Sequence, residues 1–237
     1  MSKITVLLVG TAGKGKSTTA NCLINQSTDE DKIRYGPFKT SDTAKSCTQN
    51  AELVESSSFR IIDTVGFGDP TKTSEECLQN MTNAIDKENS KIDLIIYVCQ
   101  INRFKDDDVE CFKLNMDYLK KKLPNSNSFV LINKCYKGWV SKCKEKGTFS
   151  RDLNNAIRNC NGNYFEFNLR FSDDQDEEEP PHWKEEFRQQ RHESINKLVD
   201  YVKNLCHNNN YNYNHYFNNL NRTKIARILL GRYYFSD

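Results

Sequence analysis

Apolar residues gather in short runs at residues 4–9, 59–62, 94–98, 129–132 and 164–167. Each run is four to six residues long and rich in Ile, Val or Phe. That length and that β-branching favour strands over pieces of buried helix. Between the runs, apolar positions recur at helical spacing and predict helices over 17–25, 74–89, 107–122 and 151–160. Strands and helices alternating at this interval imply right-handed βαβ units. The expected fold class is α/β, a mainly parallel sheet with helices on both faces. Residues 51–54, just ahead of the run at 59–62, predict a hairpin, so one edge strand should be antiparallel.

The last fifth of the chain departs from this rhythm. SDDQDEEEPP, residues 172–181, is acidic and closed by two prolines. Like charges adjacent in sequence repel and stay hydrated, so a solvated linker is expected there rather than a metal site. An amphipathic helix is predicted next, within 182–206, with Phe187, Ile195, Leu198, Val199 and Val202 on one face. HNNNYNYNHYFNNLN (207–221) contains eight Asn in fifteen residues and has little to bury. RTKIARILLGRYYF (222–235) has the pattern of a short basic amphipathic helix.

Composition narrows the classes. The chain has 237 residues, enough for one large domain with appendages, and a formal net charge of +2. So small an excess gives no electrostatic case for a nucleic-acid partner. The cysteines number nine, are scattered, and include no CxxC pair, so the zinc-site signature is missing and reduced thiols are expected. Cys99 ends an apolar run and reads as a small core residue. No apolar run approaches the roughly 18 residues that span a membrane. The start runs directly into a glycine loop, unlike a signal peptide, and neither MSK nor YYFSD is a lipidation signal. The expected location is the cytoplasm.

GTAGKGKST, residues 10–18, follows the first run and opens the first helix. Gly10, Gly15, Lys16 and Ser17 match GxxxxGK[ST] in full, in the strand–loop–helix context the motif requires. Glycines let the backbone turn its N–H groups around phosphate oxygens, and the helix N-terminus adds its dipole. The nucleotide-binding candidates here are Gly10, Thr11, Ala12, Gly13, Lys14, Gly15, Lys16, Ser17 and Thr18. Lys16 reaches the β- and γ-phosphates, and the Ser17 hydroxyl is a Mg²⁺ ligand. DTVG (63–66) ends the second run: Asp63 is expected in the magnesium shell, through water, and the Gly66 N–H on the γ-phosphate. Lys16 and Gly66 are the catalytic candidates. SDTAKSCT (41–48) lies between, and a threonine from it should complete the shell in the manner of a nucleotide switch. Thr43 and Thr48 both qualify.

On these residues the chain resembles the AIG-type G domain, the GTPases of immunity-associated proteins and their plant and protist relatives. GTAGKGKST is one match, and DTVGFGD (63–69) resembles the family's DTPGFGD. QINRFKDDDVE (100–110) resembles the box of the form GRFTEEE, and CNGNYFEFNLR (160–170) resembles CGGRYVVFNNR. The last two are specific, since septins and Ras-like proteins lack them. The resemblance covers residues 3–206 and implies a G domain over 1–171, with the tail at 207–237 beyond it. By resemblance, the ligands are GTP and GDP with Mg²⁺, and the partner is a second copy of the chain through the G faces.

Two departures qualify it. NKCY (133–136) supplies Asn133 and Lys134 of the base-reading NKxD, but Tyr136 replaces the aspartate and offers no carboxylate. Asn168 matches the family's guanine-contacting Asn. Tyr136 and Trp139 are candidates to stack on the base, with local packing as the alternative. Phe67 follows Gly66 where Ras-like enzymes place a water-orienting Gln, so slow turnover is expected. Arg103 is a candidate to act across an interface, or else to contact the acidic residues 106–108. The reading is a GTP-binding switch or assembly GTPase. Its rivals are a nucleotide-promiscuous or ATP-using P-loop protein and a non-hydrolysing scaffold.

Overall fold

The computed structural model describes residues 3–40, 48–89, 91–101, 106–135, 137–169, 171 and 183–207. Thr43, Arg103, Tyr136, the acidic segment and the tail lie outside them.

A sheet of six strands carries the fold: β1 (Ile4–Val9), β2 (Glu52–Glu55), β3 (Phe59–Asp63), β4 (Leu94–Gln100), β5 (Asn127–Asn133) and β6 (Tyr164–Phe167), in the order β2-β3-β1-β4-β5-β6. Every pair is parallel except β2 with β3. All residues of β1 and β4 are buried. Strands covered on both faces carry mostly apolar side chains, which is why these runs show no polar alternation. At the edge, β2 alternates between half-buried and exposed positions. Glu55 is exposed there, and such an edge charge discourages pairing with another chain.

Successive side chains of a strand point to opposite faces. Val6, Leu8, Ile61, Ile96 and Leu131 therefore share one face with α1 (Lys16–Asn25) and α7 (Trp183–His207). Leu7, Val9, Ile62, Ile95 and Val130 share the other with α3 (Ser74–Lys87), α4 (Asp106–Lys122) and α6 (Arg151–Asn159). The predicted apolar face of α7, from Phe187 to Val202, is buried. Arg191 fastens α7 to the segment that follows α1, pairing with Glu30 at 2.7 Å.

Two short helices escaped the sequence pattern: α2 (Glu30–Arg34) and α5 (Trp139–Glu145). At five and seven residues they are too short to show a helical period. The central β1 is flanked by β3 and β4, so successive crossovers leave it in opposite directions. A crevice opens at such a point beyond the carboxyl ends of the strands, where α/β proteins bind ligands.

Candidate nucleotide-binding site

The glycine loop occupies that crevice, between the end of β1 at Val9 and the start of α1 at Lys16. Gly10 lies so close to β4 that a Cβ there would meet the Val98 carbonyl oxygen at 2.4 Å. Gly15 is the left-handed N-cap of α1, and no side chain caps it. The first-turn N–H groups of α1 thus favour an anion. Lys16 is buried, and its Nζ donates to the Thr11 carbonyl at 2.9 Å. Burial pushes its pKa down, and the nearby Asp63 carboxylate opposes that.

Phe67, directly after DTVG, is bound to the loop by its backbone. Ala12 N–H donates to the Phe67 carbonyl at 2.9 Å, and Phe67 N–H donates to the Gly10 carbonyl at 3.3 Å. A Cβ on Gly66 would lie 2.5 Å from Ala12 Cα and 2.8 Å from Lys16 Nζ, so no other residue fits. Gly66 is therefore beside the Lys16 amine. The Phe67 side chain turns away, buried against Val65, Cys77 and Cys111.

Three side chains from three separate segments meet beside Lys16. Ser17 Oγ donates to Asp63 Oδ2 at 2.6 Å, Thr48 Oγ1 donates to the same oxygen at 3.2 Å, and the two hydroxyls are 3.3 Å apart. Burial pushes the Asp63 carboxyl pKa up, while Lys16 and the two hydroxyls pull it down. Its other oxygen, Oδ1, is buried without a hydrogen-bond partner. A buried carboxylate oxygen left over beside two hydroxyls is an all-oxygen donor set, which suits Mg²⁺. Of the two threonine candidates, Thr48 lies in this cluster.

The base-reading candidates line the same edge of the sheet. Asn133 ends β5 in register with Phe167, which puts Asn168 beside it. Asn133 Nδ2 donates to the Lys14 carbonyl at 2.9 Å, joining this strand to the phosphate loop. Lys134 is exposed with a left-handed φ of 54°. Cys135 N–H donates to the Phe167 carbonyl at 3.1 Å. Trp139 packs edge-on against Phe149, with centroids 5.8 Å apart, so local packing accounts for it.

Two carboxylates organise the site without having been singled out. Glu166 accepts from the Gly138 and Val140 N–H groups at 2.6 and 2.8 Å and so caps α5, fixing the end of the loop after β5. Asp108 accepts from Thr11 Oγ1 and, at 2.8 Å, from Lys14 Nζ. Both lie in the family-specific segments: Glu166 is an acidic residue inside an apolar run, whereas Asp108 is one of three consecutive aspartates.

A phosphate loop between β1 and α1, a DxxG after β3 and this strand order define a P-loop protein with the G-domain fold. The chain belongs to the AIG1 family, whose model matches residues 4–228. That match runs past residue 206 into the Asn-rich segment, so the family extends further than the motifs indicated. No curated protein matches the chain. Among solved structures it is similar to the FeoB G-domain from Methanococcus jannaschii, at 15% identity and a TM-score of 0.47, covering 88% of this chain and 100% of that one. It is also similar to "a probable GTP-binding protein engB", at 16% identity and a TM-score of 0.43, covering 83% of this chain and 98% of that one.

Proposed function

We propose that this chain is a guanine-nucleotide switch or assembly GTPase that binds GTP with Mg²⁺ and hydrolyses it slowly. The observation that carries the reading is the oxygen cluster of Ser17, Thr48 and Asp63 beside the buried Lys16. In this reading the N–H groups of residues 13–17 cradle the phosphates, and Lys16 supplies a point charge to their outer oxygens. Ser17, Thr48 and Asp63 hold the metal, which when bound neutralises phosphate charge. Thr48 is the switch threonine, since its hydroxyl already reaches Asp63. Asn133, Lys134 and Asn168 face the base. Family membership supports association of two copies through the faces that carry nucleotide. Among the described residues no helix is long and apolar enough to cross a membrane, and the cytoplasm is the location we propose.

Competition among GTP, GDP and ATP, with and without Mg²⁺, tests the reading. Magnesium-dependent binding of GTP with weak preference over ATP is expected, and an outright preference for ATP overturns it. The second reading, a promiscuous nucleotide binder, is favoured by Tyr136 where the base-reading aspartate belongs. Tyr136→Asp restores a carboxylate that accepts two hydrogen bonds from guanine. Hydrogen bonds to a charged group contribute roughly 1.5–3 kcal/mol, and about 1.4 kcal/mol is tenfold. The variant is expected to bind GTP about tenfold tighter and ATP no tighter, read by titrating both nucleotides into both proteins.

Phe67 accounts for slow turnover, because its ring is packed into the α3–α4 side of the molecule instead of the site. Phe67→Gln is expected to give no gain in single-turnover phosphate release. It should lower stability by roughly 2–5 kcal/mol in chemical denaturation, since it leaves a void and buries an amide. Faster release would show that position 67 reaches the attacking water. Wild-type specific activity should rise with protein concentration if a second copy supplies the missing group.

A further inference from the structure

A loop rich in glycine must be held in shape before it can grip a phosphate, because each unrestrained residue loses entropy on binding. The backbone ties of the loop reach Phe67 and Asn133. Its side chains converge elsewhere. Thr11, early in the loop, and Lys14, late in it, both donate to Asp108, one to each carboxylate oxygen. Asp108 stands in the first turn of α4 and is buried, with a side-chain exposure of 6% against 11% for Lys14. The space behind the loop is a small pocket lined by Gly10, Thr11, Tyr97, Val98, Asp108 and Phe112. The Asp108 carboxylate stands at its edge, between α4 and the loop.

We propose that Asp108 is a positioning residue: it clamps the phosphate loop through Thr11 and Lys14, and thereby sets how long a nucleotide stays bound. This rests on the reading of the loop as a nucleotide site. The clamp gives Lys14 a role distinct from that of Lys16. The Lys14 ammonium is directed at α4 and neutralised there, which leaves Lys16 to face the phosphate. A charge-assisted pair inside a buried site is geometrically stiff and roughly twice as strong as a neutral one. Such stiffness shows as residence time, because a preorganised loop loses little entropy when nucleotide arrives. GTP and GDP are affected alike, since both use the loop.

The test follows dissociation of fluorescent GTP and GDP analogues from the full chain. It uses Asp108→Ala, Asp108→Asn, Lys14→Met and the Asp108→Ala/Lys14→Met pair, with Lys16→Ala as control. Asp108→Ala is expected to speed dissociation of both nucleotides about tenfold, the scale of a lost charged hydrogen bond. Asp108→Asn keeps an acceptor for Thr11 but loses the charge for Lys14, so it should fall between wild type and Asp108→Ala. Lys14→Met alone should speed dissociation several-fold, yet add less than about twofold once Asp108 is gone. If Lys14→Met costs as much without Asp108 as with it, Lys14 binds phosphate directly and the clamp is wrong. Unchanged dissociation in a cooperatively melting Asp108→Ala also overturns it. Should Asp108→Ala not fold, Asp108→Asn decides: a wild-type rate overturns the proposal and a faster one supports it. Failure of the underlying reading looks different, because Lys16→Ala would then bind like wild type.

Discussion

Lys16→Ala is expected to abolish nucleotide binding and to leave a folded domain. The ammonium is buried, bonded to the Thr11 carbonyl and close to Gly66. Removing one partner of a buried charged contact costs on the order of 2–5 kcal/mol. That converts to a loss of roughly thirtyfold to several thousandfold in affinity. The nucleotide-free fold has little to lose. Burial already pushes the pKa of Lys16 down, so without a phosphate its charge is a burden on the structure. Asp63 loses the cation that pulls its pKa down, and its carboxyl can answer by taking a proton. The thermal midpoint of the free variant should therefore match or exceed that of wild type, while calorimetric titration with GTP shows no binding. GTP affinity within a few-fold of wild type would remove the phosphate-loop assignment. A lost melting transition would make Lys16 a structural residue.

What the sequence made legible follows from how each feature is encoded. Strands buried on both faces must be mostly apolar, so β1, β4 and β5 announced themselves as runs. The long helices showed their period, and α7 showed the face it buries. The phosphate loop was legible because its chemistry is local: spacing, glycines and one lysine make the nest. Long-range choices were not. Asp108 meets Thr11 and Lys14 across 97 and 94 residues, and nothing in the run of three aspartates tells which one does so. Thr43 and Thr48 are equivalent in sequence, and the approach of Thr48 to Asp63 is visible only in the folded chain. Trp139 and Phe67 could each have faced the ligand, but both found apolar neighbours instead. A motif thus fixes the local shape of the loop, while the residues that hold it come from distant parts of the chain.

The other large effect concerns Asp63, where Asp63→Asn should act with opposite signs in the free and the liganded protein. In the free protein the carboxyl is buried, and burial raises its pKa above the ordinary value of 3.8. The folded state then holds the proton more tightly than the unfolded state does. Stability falls as pH rises from the unfolded value through the folded one, so at neutral pH the ionised carboxylate is a cost. Asparagine is close in shape and neutral. Its amide oxygen can accept from Ser17 and Thr48 as Oδ2 does now, and its NH₂ takes the place of the unpartnered Oδ1. The metal-free, nucleotide-free variant should melt higher than wild type at neutral pH, and the gap should close on acidification. In the liganded protein the same exchange removes the only anionic group of the Ser17–Thr48–Asp63 cluster. Losing even an outer-shell partner lowers metal affinity by about 10–100-fold, and the magnesium dependence of GTP binding should weaken by at least that much. Thermal melts in a chelator across pH, paired with magnesium titrations of GTP affinity, read both halves. A variant that melts lower at neutral pH would mean that the buried carboxylate is a structural anchor, and an unchanged magnesium titration would mean that Asp63 takes no part in holding the metal.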